Sequence, residues 1–198
     1  MSEKSLNLFP ADPHVALPPA DVLTARLRAI GLIGERSADS FAVRYRVGPR
    51  FEELITFHSS HRVIELLNDE AGNMIQAPPR DSRAFCLTEL HYAPDRRPNV
   101  IVSCITEDAR CPCGFVPPES LDVIGAWWDA DRAGTWTCPA CGRSLLPWEL
   151  DWNHAAGFAT GHIEIVGIKP GEATPSAALS AELGEMFGGR IAYAYTWI

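Results

Sequence analysis

The chain has 198 residues, 46% of them hydrophobic and 21% charged, and its 17 basic and 25 acidic residues give a formal net charge of −8. These values exclude a disordered chain and predict a globular protein that buries a core of its own. No segment reaches the roughly 20 apolar residues of a transmembrane helix, so we expect no membrane span. The acidic balance disfavours nucleic acid as a partner, because phosphate binding requires a basic surface.

The first residues, MSEKSLNLFPADPH, lack the apolar run of a secretory signal. We therefore expect a cytoplasmic protein, in which thiols stay reduced. Under those conditions grouped cysteines indicate a metal site or redox chemistry rather than disulfides.

The chain order predicts an N-terminal arm followed by one folded domain. Residues 1–19 are polar and proline-bearing, and we expect an extended arm there. Residues 20–198 are predicted to form a single α+β domain that carries a zinc-binding insertion at about 107–150.

Two amphipathic helices are predicted in that domain. Leu23, Leu27 and Ile30 recur at helical spacing in the stretch 20–30, which Pro18-Pro19 precede and Gly31 follows. A second helix is expected to begin near Pro175.

Alternating and β-branched runs predict the strands. We expect them at 41–47, 52–57, 62–67, 84–92, 99–106, 162–168 and 191–198. The link APDRRPN is rich in turn residues, so the strands at 84–92 and 99–106 are expected to pair with each other. Helices and strands together predict an α+β fold with an antiparallel or mixed sheet.

Residues 107–150 differ from the rest of the domain. They hold two cysteine pairs, several prolines and four of the six tryptophans. A short helix is predicted at 118–129, with Leu121, Ile124 and Trp128 on one side. We interpret the stretch as an inserted module whose tryptophans form either a small core or a face for a partner.

The two cysteine pairs have the chemistry of metal-binding turns. Residues 111–114 read CPCG and residues 138–142 read CPACG. Proline restricts the backbone of such a turn, and glycine permits the left-handed conformation after the second cysteine. Backbone N–H groups can then point at the sulfur atoms, and Zn²⁺ suits four such donors.

This pattern resembles the zinc-ribbon or zinc-knuckle class over about residues 110–146. The resemblance implies a structural Zn²⁺ held by Cys111, Cys113, Cys138 and Cys141, with no coordination position open for catalysis. Cys111 and Cys113 have one residue between them where ribbons commonly have two. For this reason Cys104, His91 and His154 are alternative donors in place of one of that pair.

Two other interpretations of the cysteines stay open. The thiols could be reduced and merely packed, as buried free cysteines often are, or CPAC could act in thiol redox chemistry. Cys86 and Cys104 are expected to be small buried residues of the strands at 84–92 and 99–106.

A second stretch could support an enzyme. Asp151, His154 and His162, with Glu164 beyond them, offer acid–base or metal-binding groups, and the glycines between them permit close approach of a ligand. The alternative is a loop whose histidines bond the backbone.

The segment HSSHRVIE offers one more metal candidate. His58, His61 and Glu65 could bind an ion if the segment were helical. Because its flanks resemble strands, solvated turn histidines are the simpler interpretation.

The sequence favours a binding protein over an enzyme. The chain contains no nucleophile elbow, P-loop or dinucleotide fingerprint. Our leading hypothesis is a cytoplasmic Zn²⁺ protein that binds another protein. The alternatives are an enzyme using Asp151, His154 and His162, and a nucleic-acid-binding zinc ribbon.

Overall fold

The computed structural model describes residues 4–37, 43–58, 66–68, 74–76, 86–102 and 109–197. The helices are α1 (Ala20–Ala29), α2 (Phe51–Leu54), α3 (Ser120–Asp129) and α4 (Ala177–Phe187). The strands are β1 (Lys4–Pro10), β2 (Ile33–Arg36), β3 (Arg44–Val47), β4 (Ile55–Phe57), β5 (Leu66–Asn68), β6 (Met74–Gln76), β7 (Leu87–Tyr92), β8 (Asn99–Val102), β9 (Trp136–Thr137), β10 (Ser144–Leu145), β11 (Ala156–Ala159), β12 (Gly161–Val166), β13 (Ala173–Pro175) and β14 (Ile191–Trp197).

Six strands form one sheet in the order β14-β1-β12-β7-β3-β2, and every neighbouring pair is antiparallel. Two-stranded pairs join β8 to β11, β9 to β10, β4 to β13 and β5 to β6. The fold is therefore α+β with an antiparallel sheet, which confirms the predicted class.

The N-terminal segment lies inside this sheet. β1 bonds to β12 on one side and to β14 on the other, with Leu6 opposite Ile165 and Leu8 opposite Ile163. This differs from the extended arm expected for residues 1–19. Two alternating leucines in a polar stretch are a weak local signal, and the long-range pairing on both sides decides the outcome.

One face of the sheet carries the main core. The leucines of β1 and the isoleucines of β12 pack in one buried cluster with Leu23 and Leu27 of α1 and with Leu179 and Leu183 of α4. Full burial of each such side chain contributes about 1.5–3 kcal/mol. The two amphipathic helices predicted near 20–30 and after Pro175 therefore cover the same sheet face.

The opposite face is mostly polar, although much of it is buried, and it also carries Phe9 and Ala194, which pack with Ile101 and Ala159. Ser5 and Asn7 of β1 are each 1% exposed, and Thr196 of β14 is 6% exposed. Asn7 donates a hydrogen bond of 3.1 Å to the hydroxyl of Thr196. Period-two alternation thus gives the sheet an apolar side under the helices and a mostly polar side away from them.

A second core lies around the cysteines. Cys111 and Cys138 are buried with Trp127 of α3 and with Ala156 and Phe158 of β11, and they form a cluster separate from the main core. Val100 and Val102 of β8 pack against it. Strands on both sides of the predicted stretch 107–150 therefore contribute to this core.

Two strand predictions need correction. β7 pairs with β12 and β3, while β8 pairs with β11, so the expected hairpin of 84–92 with 99–106 does not form. The segment 52–57 divides into α2 and β4, because Phe51 and Leu54 reach the main core from one helical turn. In the described part of the chain, no helix has the length and apolar character that crossing a bilayer demands.

Candidate metal centre

The four predicted cysteines converge on one point. Their sulfur atoms all lie within 4.8 Å of one another. The Sγ atoms of Cys111 and Cys141 are 3.8 Å apart, and those of Cys113 and Cys138 are 3.7 Å apart. With Zn–S bonds of ~2.3 Å, the edge of a regular tetrahedron is about 3.8 Å. The spacing therefore fits four thiolates around a single tetrahedral ion.

The first pair sits in a tight turn anchored to the end of the module. Arg110 bridges Asp151 through two backbone hydrogen bonds of 2.7 and 2.9 Å. The N–H of Cys111 then donates to Phe115 and the N–H of Gly114 donates back to Cys111, each at 2.8 Å. One residue between the cysteines is thus enough to aim both sulfur atoms at the same point.

The second pair occupies the loop of the β9–β10 hairpin. The N–H of Cys138 donates to Arg143 at 2.9 Å, and the N–H of Gly142 donates to Cys138 at 2.8 Å. Gly142 has a φ of +71°, in the left-handed region that the sequence predicts after the second cysteine.

Backbone donors and burial act in opposite directions on these thiols. Burial raises the pKa of the Cys138 thiol, but the N–H groups of Cys141 and Ala140 point at its sulfur and lower that pKa to about 7. The N–H of Cys113 lowers the pKa of Cys111, whereas burial and the three neighbouring thiols raise it to about 12. The Cys138 thiolate therefore forms readily, whereas the thiolate of Cys111 needs a cation to compensate its charge.

The donor set is complete with cysteines alone. Among the described residues the cluster contains these four thiols and no histidine or carboxylate. His91 belongs to another group and His154 stacks on Tyr193, so neither replaces Cys111 or Cys113. Cys104, the third alternative donor, lies outside the described residues, while Cys86 is buried in the main core as expected.

Aromatic rings fill the space beside the cysteines. Trp127 contacts Phe158 and Trp148 edge-on, with ring centroids 5.6 and 5.9 Å apart. Trp127 and Trp152 are buried, at 1% and 4% exposure, whereas Trp128 is 46% exposed. The tryptophans therefore serve mainly as core, and one of them faces solvent.

Helix α3 presents a different face from the predicted one. Val123, Ile124 and Trp127 are its buried apolar residues, while Leu121 and Trp128 are 50% and 46% exposed. The helix has apolar residues on two sides, and packing against Phe158 selects the side with Trp127.

The predicted group of Asp151, His154 and His162 does not assemble. Asp151 and His154 line a cavity beside Tyr193, and His162 lines a different one. The His154 ring stacks on Tyr193 at 3.9 Å and its Nδ1 lies 3.0 Å from the Tyr193 carbonyl. Gly157 and Gly161 do not open space for a ligand, because Gly157 faces the ring of Phe9 and Gly161 faces Leu17.

A second polar group lies on the polar side of the sheet, and the sequence pattern alone does not predict that its members meet. His91 of β7 pairs with His162 of β12, and Glu164 lies two residues further on the same face. One donor atom from each of the three lies within 4.8 Å of the others. His91 Nε2 is 2.7 Å from Glu164 Oε2, and the Ser5 hydroxyl donates to Glu164 Oε1 at 2.5 Å.

The protonation of these groups is set by their surroundings. The hydrogen bond to Glu164 raises the pKa of His91 against the effect of burial. Burial, together with the nearby His91, lowers the pKa of His162 to about 3. Burial would raise the pKa of Glu164, but hydrogen bonds from His91 and Ser5 bring it below its ordinary value.

The sequence signal for this group was partial. His162 and Glu164 alternate on one strand, which places them on one face, but only the register of β12 against β7 adds His91. Of the other candidates, His58 lies 2.9 Å from the hydroxyl of Thr174, while His61 and Glu65 lie outside the described residues.

No protein family, no curated protein and no solved structure was found to match this chain.

Proposed function

We propose that Cys111, Cys113, Cys138 and Cys141 bind one structural Zn²⁺, and that the module organised by this ion binds another protein in the cytoplasm. The observation that carries the metal assignment is the spacing of the four sulfur atoms, which all lie within 4.8 Å of one another and include two distances, 3.8 and 3.7 Å, that match the edge of a tetrahedron. Four protein thiolates leave no position for water or substrate, so a structural role suits the site better than a catalytic one.

The metal has a packing role in this proposal. Cys111 and Cys138 belong to the same buried cluster as Trp127 and Phe158. An ion that joins the turn at Cys111 to the β9–β10 hairpin therefore holds together the walls of a small aromatic core. Such a core is too small to rely on apolar burial alone, and metal binding adds folding free energy.

The solvent side of α3 supports protein binding. Leu121 and Trp128 are seven residues apart, so they lie on one side of the helix about 10 Å apart along its axis. Both are about half exposed. Asp122 and Asp129 are exposed beside them, and the guanidinium of Arg132 lies 4.7 Å from the Trp128 ring centre. We define Leu121 and Trp128 as the α3 face.

The chemistry of the α3 face points to a particular kind of partner. An exposed tryptophan is a frequent anchor of protein interfaces, and a helix with spaced apolar residues suits an apolar groove. The acidic residues beside the anchor and the net charge of −8 favour a groove with a basic rim.

A capture experiment tests this function. Zinc-loaded protein is immobilised and exposed to an extract of the source cells, in parallel with metal-stripped protein and with a Leu121→Ser/Trp128→Ala variant. The control is Val22→Ser/Val43→Ser, which removes two exposed apolar residues, 42% and 48% exposed, outside the α3 face. We expect a protein that the wild type and the control retain and that the other two samples lose. Equal retention by all four samples would contradict the proposal.

A further inference from the structure

We propose that His91, His162 and Glu164 form a second cation site, which takes a divalent transition-metal ion and leaves coordination positions open. Two imidazoles and one carboxylate are a donor set that proteins use for zinc and for iron. Unlike the four cysteines, three donors do not complete a tetrahedron, so water or a small ligand can reach the ion.

The sheet places the three donors without help from loops. His91 and His162 are register partners of adjacent antiparallel strands, and Glu164 follows His162 at the next position on the same face. Residues facing each other in this way keep their Cβ atoms about 4.5–5.5 Å apart. The backbone of the three donor residues is therefore fixed by strand pairing, which favours a built site over a chance meeting of surface side chains.

The hydrogen bonds around Glu164 suit a carboxylate that binds a metal ion. Ser5, which is 1% exposed, donates to one oxygen of Glu164 and leaves the other directed at His91. Glu89 faces Glu164 across the strands, but its own carboxylate is bound by Arg44 at 2.8 Å. Hydrogen bonds behind a metal ligand commonly orient it, and Ser5 occupies that position here.

His162 has no hydrogen bond to the described protein that metal binding would have to replace. The residue is half-buried, its ring stacks on that of His91 with centroids 4.5 Å apart, and the ring makes no hydrogen bond to another described residue. Since the residue lines a cavity and its ring makes no hydrogen bond to the described protein, the imidazole is available to coordinate an ion there.

A cavity gives the site room for that ligand. It has a volume of about 180 Å³ and is lined by both histidines, and it lies between the sheet and the β8–β11 pair. One water needs only roughly 10–15 Å³ of such space, so the cavity has room for water or a small ligand. Asn99 and Thr160 line it together with apolar residues such as Ile101, so the open positions of a bound ion face a space whose walls are partly polar.

Binding requires one movement. The two rings are nearly parallel, with an interplanar angle of 12°, so their in-plane lone pairs do not meet at one point. A turn of one ring about its Cβ–Cγ bond lets them converge, and this torsion is soft in histidine. Metal binding should therefore break the stack of His91 on His162.

Cobalt titration of the zinc-loaded protein tests the proposal. With the four cysteines already occupied by Zn²⁺, added Co²⁺ should bind once per chain and produce the weak visible bands of nitrogen and oxygen coordination without thiolate charge transfer. Paramagnetic shifts in NMR spectra should appear for the His91 and His162 ring protons and not for those of His58. Strong thiolate bands would instead report empty cysteines, which separates a failure of the first site from a failure of this one.

Variants identify the donors. Glu164→Gln keeps the shape of the side chain and should weaken Co²⁺ binding roughly tenfold or more, as should His162→Ala, while Ser5→Ala should weaken it about tenfold through the outer hydrogen bond. The control is His58→Ala, which removes an exposed histidine and should leave the affinity unchanged. Absence of saturable binding in the wild type, or equal affinity in Glu164→Gln and His58→Ala, would overturn the proposal. Because the NMR shifts are measured on the wild type, the test does not depend on every variant folding.

Discussion

His91 and His162 face each other across two strands, yet they respond oppositely to pH. The hydrogen bond to Glu164 raises the pKa of His91, so its contribution to stability is present below its unfolded pKa and is lost as pH rises through the folded pKa. Burial lowers the pKa of His162 to about 3. Below its unfolded pKa of 6.5, the unfolded chain binds a proton at His162 that the folded chain does not.

The first prediction follows from His162. The folded chain keeps His162 uncharged, whereas the unfolded chain protonates it. Lowering the pH from about 7 to about 5.5 should therefore reduce the free energy of unfolding of the wild type by roughly 1 kcal/mol more than that of His162→Gln. Urea denaturation of both proteins at the two pH values, without added transition metal, measures the difference. An identical pH dependence in the two proteins would mean that His162 is protonated in the folded state.

The backbone at Gly142 leads to a second prediction at this scale. Gly142 has a φ of +71°, and a methyl group added there would meet no other atom within 4 Å, so strain is the only penalty. Gly142→Ala should therefore destabilise the protein by about 1 kcal/mol.

Gly125 is the matched control. It lies inside α3, it also has open space around the added methyl group, and it has no positive φ. Gly125→Ala should stabilise by roughly 0.5–1 kcal/mol, because alanine favours the helix. Opposite signs in urea denaturation are expected, and a neutral Gly142→Ala would show that the left-handed turn is not needed.

At the scale of elements, α3 separates two adjacent tryptophans. Trp127 is 1% exposed against Phe158, and Trp128 is 46% exposed under Arg132. Trp127→Ala should cost about 3–5 kcal/mol, while Trp128→Ala should cost about 1 kcal/mol or less. Thermal or urea unfolding of the two variants checks this, and a reversed order would mean that α3 packs with its other face inward.

Local periodicity explains which elements could be predicted. The helices at 20–30 and after Pro175 have an apolar stripe and flanking stop signals, and they appear as α1 and α4. The helix at 118–129 is also predicted, but with Leu121 and Trp128 on its apolar side, whereas Val123 and Trp127 are the residues that are buried. Apolar residues on two sides of α3 satisfy the same periodicity, and only contact with β11 distinguishes Trp127 from Trp128.

Strand pairing is harder to predict from the sequence, because the paired strands are far apart along the chain. The turn-rich link between Tyr92 and Asn99 favours a hairpin locally, but β7 bonds to β12 and β8 bonds to β11, with partners 69–79 and 54–60 residues further along the chain. β1 lies inside the sheet because it pairs with β12 and β14, which come from the other end of the chain. A short window of sequence contains no information about such distant partners.

The same contrast holds for the two sites across the whole molecule. Each cysteine turn carries its own signature, since CPCG and CPACG predict ligands, conformation and metal from a few neighbouring residues. The group of His91, His162 and Glu164 has no such signature, because its donors come from strands whose register is set by the entire sheet.

The two larger of the three hydrophobic clusters among the described residues are stabilised in different ways. The main core rests on burial of leucine and isoleucine between the sheet and the helices α1 and α4. The second core is smaller, aromatic and built against two of the cysteines. We expect the second core to depend on the metal and the main core to be largely independent of it.

The zinc content of the purified protein tests the central claim most directly. After dialysis against a weak chelator, the wild type should retain one zinc ion per chain by elemental analysis. Cys138→Ser should lose that zinc, and Cys86→Ala, which removes a cysteine buried in the main core, should keep it. A zinc-free wild type whose thiols all react with a thiol reagent, or a Cys138→Ser variant that keeps its zinc, would contradict the account.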